Sequence, residues 1–165
     1  MFTGIIEEIG KVYSLNGYEL TVECNKILSN SKIGDSISTS GICLTITKID
    51  KNKISFDLSE ETISKTVFGK DQKITHVNLE RSATLETRIG GHLVEGHVEN
   101  IGKCREINKL NESTVVTFEV NQNIIDNIIE KGYIAIDGTS LTVNEINKKL
   151  FKVSFIPHTL KETTF

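Results

Sequence analysis

The chain repeats itself. Phe2-Thr3-Gly4-Ile5-Ile6-Glu7-Glu8-Ile9-Gly10-Lys11 returns as Val94-Glu95-Gly96-His97-Val98-Glu99-Asn100-Ile101-Gly102-Lys103, and both stretches keep a GxxExIGK frame. Further along, Gly41-Ile42-Cys43-Leu44-Thr45-Ile46 comes back as Gly138-Thr139-Ser140-Leu141-Thr142-Val143, and Ser55-Phe56 as Ser154-Phe155. Beyond that pair, Glu61-Thr62-Ile63 and Lys65-Thr66 align with His158-Thr159-Leu160 and Glu162-Thr163, the second copy having lost two residues. Four blocks in one order describe a single structural unit made twice, so any fold assigned to one half must also fit the other.

Each copy reads as short strands. Tyr18 to Val22 and Thr114 to Val120 alternate in part and are rich in β-branched residues, as half-buried strands are; Leu44 to Ile49, Lys53 to Leu58, Ser140 to Ile146 and Phe151 to Ile156 continue the pattern. Asp50-Lys51-Asn52 and Asn147-Lys148-Lys149 supply turn chemistry between strands expected to pair as hairpins. Helix is scarce: Asn123 to Lys131, with four isoleucines on one face, is the best candidate, and Glu60 to Ser64 and Leu160 to Glu162 offer one turn each. Many closely spaced strands favour small closed barrels, which leave no exposed edge. The expected class is all-β, two similar antiparallel barrels with short helices. Their boundary is expected near Leu85 to Gly91, where Gly90-Gly91 suits either a tight backbone passage or a plain linker.

Composition narrows the function. A formal net charge of -3, with no basic run, does not suit a nucleic-acid backbone as partner. Three scattered cysteines, Cys24, Cys43 and Cys104, make neither a disulfide framework nor a CxxC metal pair, and fit a reducing cytoplasm. The start MFTGIIEEIG has no basic n-region, and the apolar runs are too short to span a membrane. No metal site is expected, because His92, His97, His158 and the cysteines lack ligand spacing. Phosphate-loop, dinucleotide and GxSxG signatures are absent.

The candidate chemistry lies in the repeated polar positions. Cys43 matches Ser140 and Thr45 matches Thr142, and residues two apart on a strand share a face, so each copy offers two small hydrogen-bonding groups side by side. One such triplet is ordinarily a core filler with a satisfied hydroxyl; its recurrence after a glycine in both copies points to a ligand site. His92 and His97 have no counterparts in the first copy, so the halves differ chemically. His76 has no supporting motif and reads as structural. Lys131, expected just past a helix, reads as a helix-end cation.

Met1-Phe2-Thr3-Gly4-Ile5, Gly41 to Thr45, Gly90-Gly91-His92-Leu93-Val94-Glu95-Gly96-His97 and Ile136 to Val143 together resemble the riboflavin synthase family, in order from Met1 to Phe165. The resemblance implies two six-stranded Greek-key barrels, residues 1–88 and 89–165, each binding one 6,7-dimethyl-8-ribityllumazine. It implies transfer of a four-carbon unit between the two molecules, with riboflavin and 5-amino-6-(ribitylamino)uracil as products and no cofactor. The working site would form between the N-terminal barrel of one subunit and the C-terminal barrel of the next in a homotrimer, with lumazine synthase as a further partner. By motif, substrate-binding residues fall on Phe2, Thr3, Gly4, Ile5 and Ile6; Cys43, Leu44 and Thr45; and Asp57, Leu58, Ser59, Glu60, Glu61 and Thr62. They continue at Gly96, His97 and Val98, at Lys131, at Ser140, Leu141 and Thr142, and at Ile156, Pro157, His158, Thr159, Leu160 and Lys161. For catalysis the resemblance points to His97 as proton carrier. A hydroxyl or thiol of Ser36, Cys43 or Ser140, or a water, would assist addition, and His92 and Asp137 would orient or relay.

In the first copy the chain runs past Phe68 through Lys73 to Glu80, the expected last strand of its barrel, whereas the second copy ends at Phe165, the equivalent of Phe68. The family's closing strand and C-terminal trimerisation helix have no counterpart in this sequence, so the second barrel is expected to lack its last strand. A non-catalytic lumazine or flavin carrier of the same fold is the rival reading. It requires one intact pocket, while this chain keeps the polar set in both copies.

Overall fold

The computed structural model describes residues 1–70 and 73–165. The first copy forms β1 (Glu8–Asn16), β2 (Glu19–Glu23), β3 (Ser36–Thr39), β4 (Ile42–Asp50), β5 (Lys53–Asp57) and β6 (His76–Arg81). They close into an antiparallel barrel in the order β1-β2-β5-β4-β3-β6. The second copy forms β7 (Lys103–Lys109), β8 (Thr114–Glu119), β9 (Tyr133–Ile136), β10 (Thr139–Asn147) and β11 (Leu150–Phe155) in the order β7-β8-β11-β10-β9. Strand for strand this is the first order without a counterpart of β6, so among the described residues the second sheet has five strands, as expected from the sequence.

The duplication extends to irregularities. The β1–β2 register shifts between Val12 and Ser14 and the β7–β8 register between Cys104 and Glu106, which are equivalent positions. The β4–β5 shift at Ile46/Lys48 is matched by the β10–β11 shift at Val143/Glu145. Such bulges bend a strand and sharpen its twist, which a small barrel needs at its corners. Both expected hairpin turns carry a lysine in the left-handed region, Lys51 at φ 55 and Lys148 at φ 54.

Alternation builds the two cores. Leu20, Val22, Ile37, Leu44, Ile46, Ile54, Phe56, Val77 and Leu79 fill the closed barrel, and Val116, Phe118, Leu141, Val143, Phe151, Val153 and Phe155 pack inside the second sheet. Full burial of each large side chain is worth about 1.5–3 kcal/mol. Among the described residues α-helix is limited to α1 (Glu60–Lys65), capped by the Ser59 hydroxyl accepting from the Thr62 N–H, then α2 (Gln122–Ile125) and α3 (Pro157–Glu162), with one 3-10 turn at Val67–Gly69. The helix expected over 123–131 is therefore corrected to four residues. Asn123, Asp126 and Asn127 are weak helix formers and Asn121 makes no side-chain cap, so the isoleucine stripe alone does not hold a second turn.

The two copies are joined by an exchange of their leading segments. Phe2 pairs with Val94 in an isolated bridge at the centre. On one side of it the Ser140 N–H donates to the Gly4 carbonyl at 2.8 Å, and on the other the Cys43 N–H donates to the Gly96 carbonyl at 2.8 Å. Gly4 and Gly96 are equivalent in the repeat, as are Cys43 and Ser140. Each copy thus lends its opening glycine to the Cys/Ser-Leu-Thr strand of the other.

Candidate functional site

Cys43 and Thr45 on β4 point away from the buried Leu44, and Ser140 and Thr142 on β10 point away from the buried Leu141, so each pair shares one face as expected, and that face is the outer one. Across the ladder Ser36 lies opposite Thr45, and Tyr133 lies opposite Thr142. Equivalent positions therefore carry a hydroxyl in one copy and a phenol ring in the other.

The crossing segments sort the candidates into two groups. Around β4 gather Cys43, Thr45 and the strap Gly96-His97-Val98, whose Val98 packs on the first core. Around β10 gather Ser140, Thr142 and the strap Phe2-Thr3-Gly4. Each strap needs a glycine where it crosses. Gly4 has φ +76, and a Cβ there would lie 2.6 Å from the Ser140 Cβ; Gly96 has φ +84, and a Cβ there would lie 2.7 Å from the Cys43 Cβ. Asp57 to Thr62 cover the end of β5 and the start of α1, and Ile156 to Lys161 cover the matching end of β11 and α3.

The second group holds the best-formed polar pair. His92 Nδ1 is 2.7 Å from Ser140 Oγ, and the His92 ring stacks on Tyr133 with centroids 5.2 Å apart. Burial pushes the His92 pKa below its ordinary value, so the ring is neutral at pH 7. In the tautomer whose Nδ1 carries no proton, Ser140 donates its hydroxyl hydrogen to it, the arrangement that makes a serine oxygen more nucleophilic. Tyr133 was not singled out from the sequence; on β9 it is 69% exposed, and only its pairing with Thr142 places it against His92.

His92, Tyr133 and Asp137 line a hollow of about 640 Å³ between the copies, and His97 stands at the same hollow. That size admits a drug-sized bicyclic ligand. Its other wall is apolar, with Phe118, Ile124 and Phe151. Asp137, exposed by accessible surface, sits in a left-handed turn, φ 45, and lines the hollow; desolvation by the neighbouring protein raises its carboxyl above its ordinary value. The His97 side chain is 78% exposed, its Nδ1 3.6 Å from Glu95 Oε2, and it makes no hydrogen bond to His92, Ser140 or Asp137. Ser36 lies elsewhere, in a second hollow of about 710 Å³ beside Thr3, Glu80 and Arg81.

Lys131 requires a correction. It does not terminate a helix, since α2 ends at Ile125; it occupies a left-handed turn at φ 64 leading into β9, its Nζ donating to the Asn144 carbonyl. Cys24 is buried among the first core and its thiol is pushed up to about 12, chiefly by burial, so it stays protonated. Asn78 and Glu80 on β6, not selected from the sequence, are buried polar groups: Glu80 holds Thr3 and Gly4 of its own copy, and Asn78 ties the two copies together. Asn78 Nδ2 donates to the Asp137 carbonyl at 2.8 Å and Asn78 Oδ1 accepts from the Thr164 N–H at 2.8 Å. Both sit at the polar positions of the alternating β6 sequence, opposite Val77 and Leu79, so no sequence signal marked them as buried. No described helix is long and apolar enough to cross a membrane.

The family model of the lumazine binding domain matches residues 3–82 and again 95–165, one match per copy. Riboflavin synthase of Actinobacillus pleuropneumoniae is 40% identical over 99% of this chain and 78% of its own length. Riboflavin synthase of Bacillus subtilis is 37% identical over 100% and 79%, and that of Schizosaccharomyces pombe 36% over 96% and 79%. Among solved structures, LumP complexed with riboflavin superposes with a TM-score of 0.89 at 22% identity, covering 99% of this chain and 91% of that one, a likeness of fold. Matched in both copies and across nearly its whole length, the chain belongs to the riboflavin synthase family.

Proposed function

We propose that the chain binds two 6,7-dimethyl-8-ribityllumazine molecules, one at each strap-and-strand group, and transfers a four-carbon unit between them to give riboflavin and 5-amino-6-(ribitylamino)uracil. The observation that carries this is the reciprocal exchange: Gly4 on Ser140 and Gly96 on Cys43, each at 2.8 Å, build two similar binding edges from one repeat. A reaction between two like molecules needs two like seats, and holding both reactants in place lowers the barrier by up to about 7–11 kcal/mol in ideal cases. The outward hydroxyls and thiol of Cys43, Thr45, Ser140 and Thr142, with the strap amides, hold the heterocycle edge and the ribityl chain.

The chemistry follows from the asymmetry of the halves. One lumazine loses a proton from its C7 methyl while the other is attacked at C7. His97, exposed at the hollow, carries the proton, and Ser140, hydrogen-bonded to the neutral His92, assists addition. Asp137 orients or relays at the same hollow. Opposed seats from two copies of the chain form the working site, so the active species is a homo-oligomer in the cytoplasm, and lumazine synthase is its natural neighbour. The test is to mix the purified protein with the lumazine and follow both products. Formation of riboflavin and the aminouracil in equal amounts supports the enzyme, whereas tight binding without conversion supports a carrier.

A further inference from the structure

We propose that Glu80 is a positioning residue for the His92 and Ser140 pair, acting through the strap Thr3-Gly4. Glu80 lies on β6 and is 4% exposed. Its Oε1 accepts from the Thr3 N–H and from the Thr3 hydroxyl, both at 2.7 Å, and its Oε2 accepts from the Gly4 N–H at 3.0 Å. The two strap residues it holds are the ones whose carbonyls hold the site. The Thr3 carbonyl accepts from the His92 N–H at 3.1 Å, and the Gly4 carbonyl accepts from the Ser140 N–H at 2.8 Å. One carboxylate therefore fixes both backbones whose side chains meet at 2.7 Å.

The space around the strap leaves little freedom to compensate. A Cβ on Gly91 would lie 2.3 Å from the Thr3 carbonyl oxygen and 2.7 Å from Ser140 Oγ, so strap, Gly91 and Ser140 are packed in contact. A buried carboxylate is costly unless it is hydrogen-bonded, and these three donors satisfy it. Burial still pushes the Glu80 carboxyl above its ordinary value, the Thr3 and Gly4 donors pulling the other way. On the face of β6 opposite the core residues Val77 and Leu79, a carboxylate kept buried at that cost suits a task that a leucine would not perform.

The equivalent strap, Glu95-Gly96, meets Cys43 with no counterpart of β6 behind it among the described residues, so no carboxylate clasps it there. The inference rests on the proposed reaction for its kinetic readout, but the geometry of the pair can be read without turnover.

The test compares the full chain with Glu80→Gln, Thr3→Val, Ser140→Ala and the double variant Glu80→Gln/Ser140→Ala. Glutamine keeps one acceptor but turns an N–H toward a donor, and Thr3→Val removes the hydroxyl's bond to Glu80 together with the long 3.4 Å bond it accepts from the Ile5 N–H, leaving both backbone bonds to the carboxylate. Glu80→Gln is expected to lower kcat about tenfold with KM changed far less, and on the Ser140→Ala background to lower it by no more than about twofold, because the two act through one unit. Thr3→Val is expected to move kcat in the same direction by a smaller factor, and it stands in if Glu80→Gln does not fold. Nitrogen NMR of the His92 ring reports the bond to Ser140 directly: it is expected to be lost in Glu80→Gln as in Ser140→Ala, while the His97 signals stay put. Unchanged His92 signals, or a kcat factor that is the same with and without Ser140, overturns the role. A wild-type chain that shows no turnover counts against the proposed reaction, and the NMR comparison then still decides the role of Glu80.

Discussion

Gly41 and Gly138 stand back to back where the two copies meet: a Cβ built on either would lie 2.8 Å from the backbone nitrogen of the other. Both have positive φ, +83 and +80, and both open a Cys/Ser-Leu-Thr strand. They mark the local two-fold relation that brings the two straps to opposite strands. Gly41→Ala or Gly138→Ala is expected to destabilise the fold by about 1–3 kcal/mol, through left-handed strain and through the close approach together. Gly17, at φ +59 with open space around it, is the control: Gly17→Ala carries the strain alone and shifts the urea midpoint less. Equal shifts at Gly17 and Gly41 would deny the close approach any weight.

Ser140→Ala removes the partner of His92 and is expected to lower turnover by about 10²-fold with little effect on folding. His92 is shifted below its ordinary value of 6.5 by burial, so it is neutral above that value in both folded and unfolded chain. The folded ring resists protonation as pH falls through 6.5, so the pair's contribution to turnover holds through that range and is lost only at more acid pH, whereas stability already begins to fall below 6.5 because the unfolded chain gains the proton first. A turnover profile with its acid limb above 6.5 contradicts this.

The His97 ring is largely exposed, with its Nδ1 3.6 Å from Glu95 Oε2 and no hydrogen bond to another side chain among the described residues. His97→Ala is expected to cut turnover by about 10²-fold, the scale of a general acid-base group, while the protein folds and binds the lumazine as before. An unaltered turnover number removes His97 from the mechanism.

Glu7 receives the Arg81 backbone N–H and a two-pronged guanidinium contact at 2.6–3.1 Å, closing β1 against β6. Burial alone would raise the Glu7 carboxyl; the Arg81 contacts overcome it and hold the carboxyl below its ordinary value of 4.5. Stability from such a group is present above 4.5 and is lost as pH falls through the depressed folded value. Glu7→Gln is expected to cost about 1 kcal/mol at pH 7 and progressively less in acid, measured by denaturant unfolding at several pH values.

Much of this architecture was legible in the repeat. The strands with alternating β-branched residues, such as Lys53–Asp57 and Leu150–Phe155, lie where their pattern puts them. Strands β1, β3, β7 and β9 did not announce themselves. Ser36–Thr39 is four residues long, and Lys103–Lys109 is exposed along its whole length, so neither shows a buried face to read. The site was legible in its parts but not in its grouping. That Gly4 belongs with Ser140, and Gly96 with Cys43, depends on straps crossing between copies, and a linear pattern carries no trace of that crossing. Glu80 was hidden for the same reason, since its partners Thr3 and Gly4 are more than seventy residues away.

The central claim, two lumazine seats made by one duplicated unit, is tested most directly by titrating the protein with 6,7-dimethyl-8-ribityllumazine under conditions where turnover is blocked and counting bound ligand per chain. Two ligands per chain are predicted, with Gly4→Val, which crowds Ser140, removing one and leaving the other. A single ligand per chain, untouched by Gly4→Val, would contradict the account.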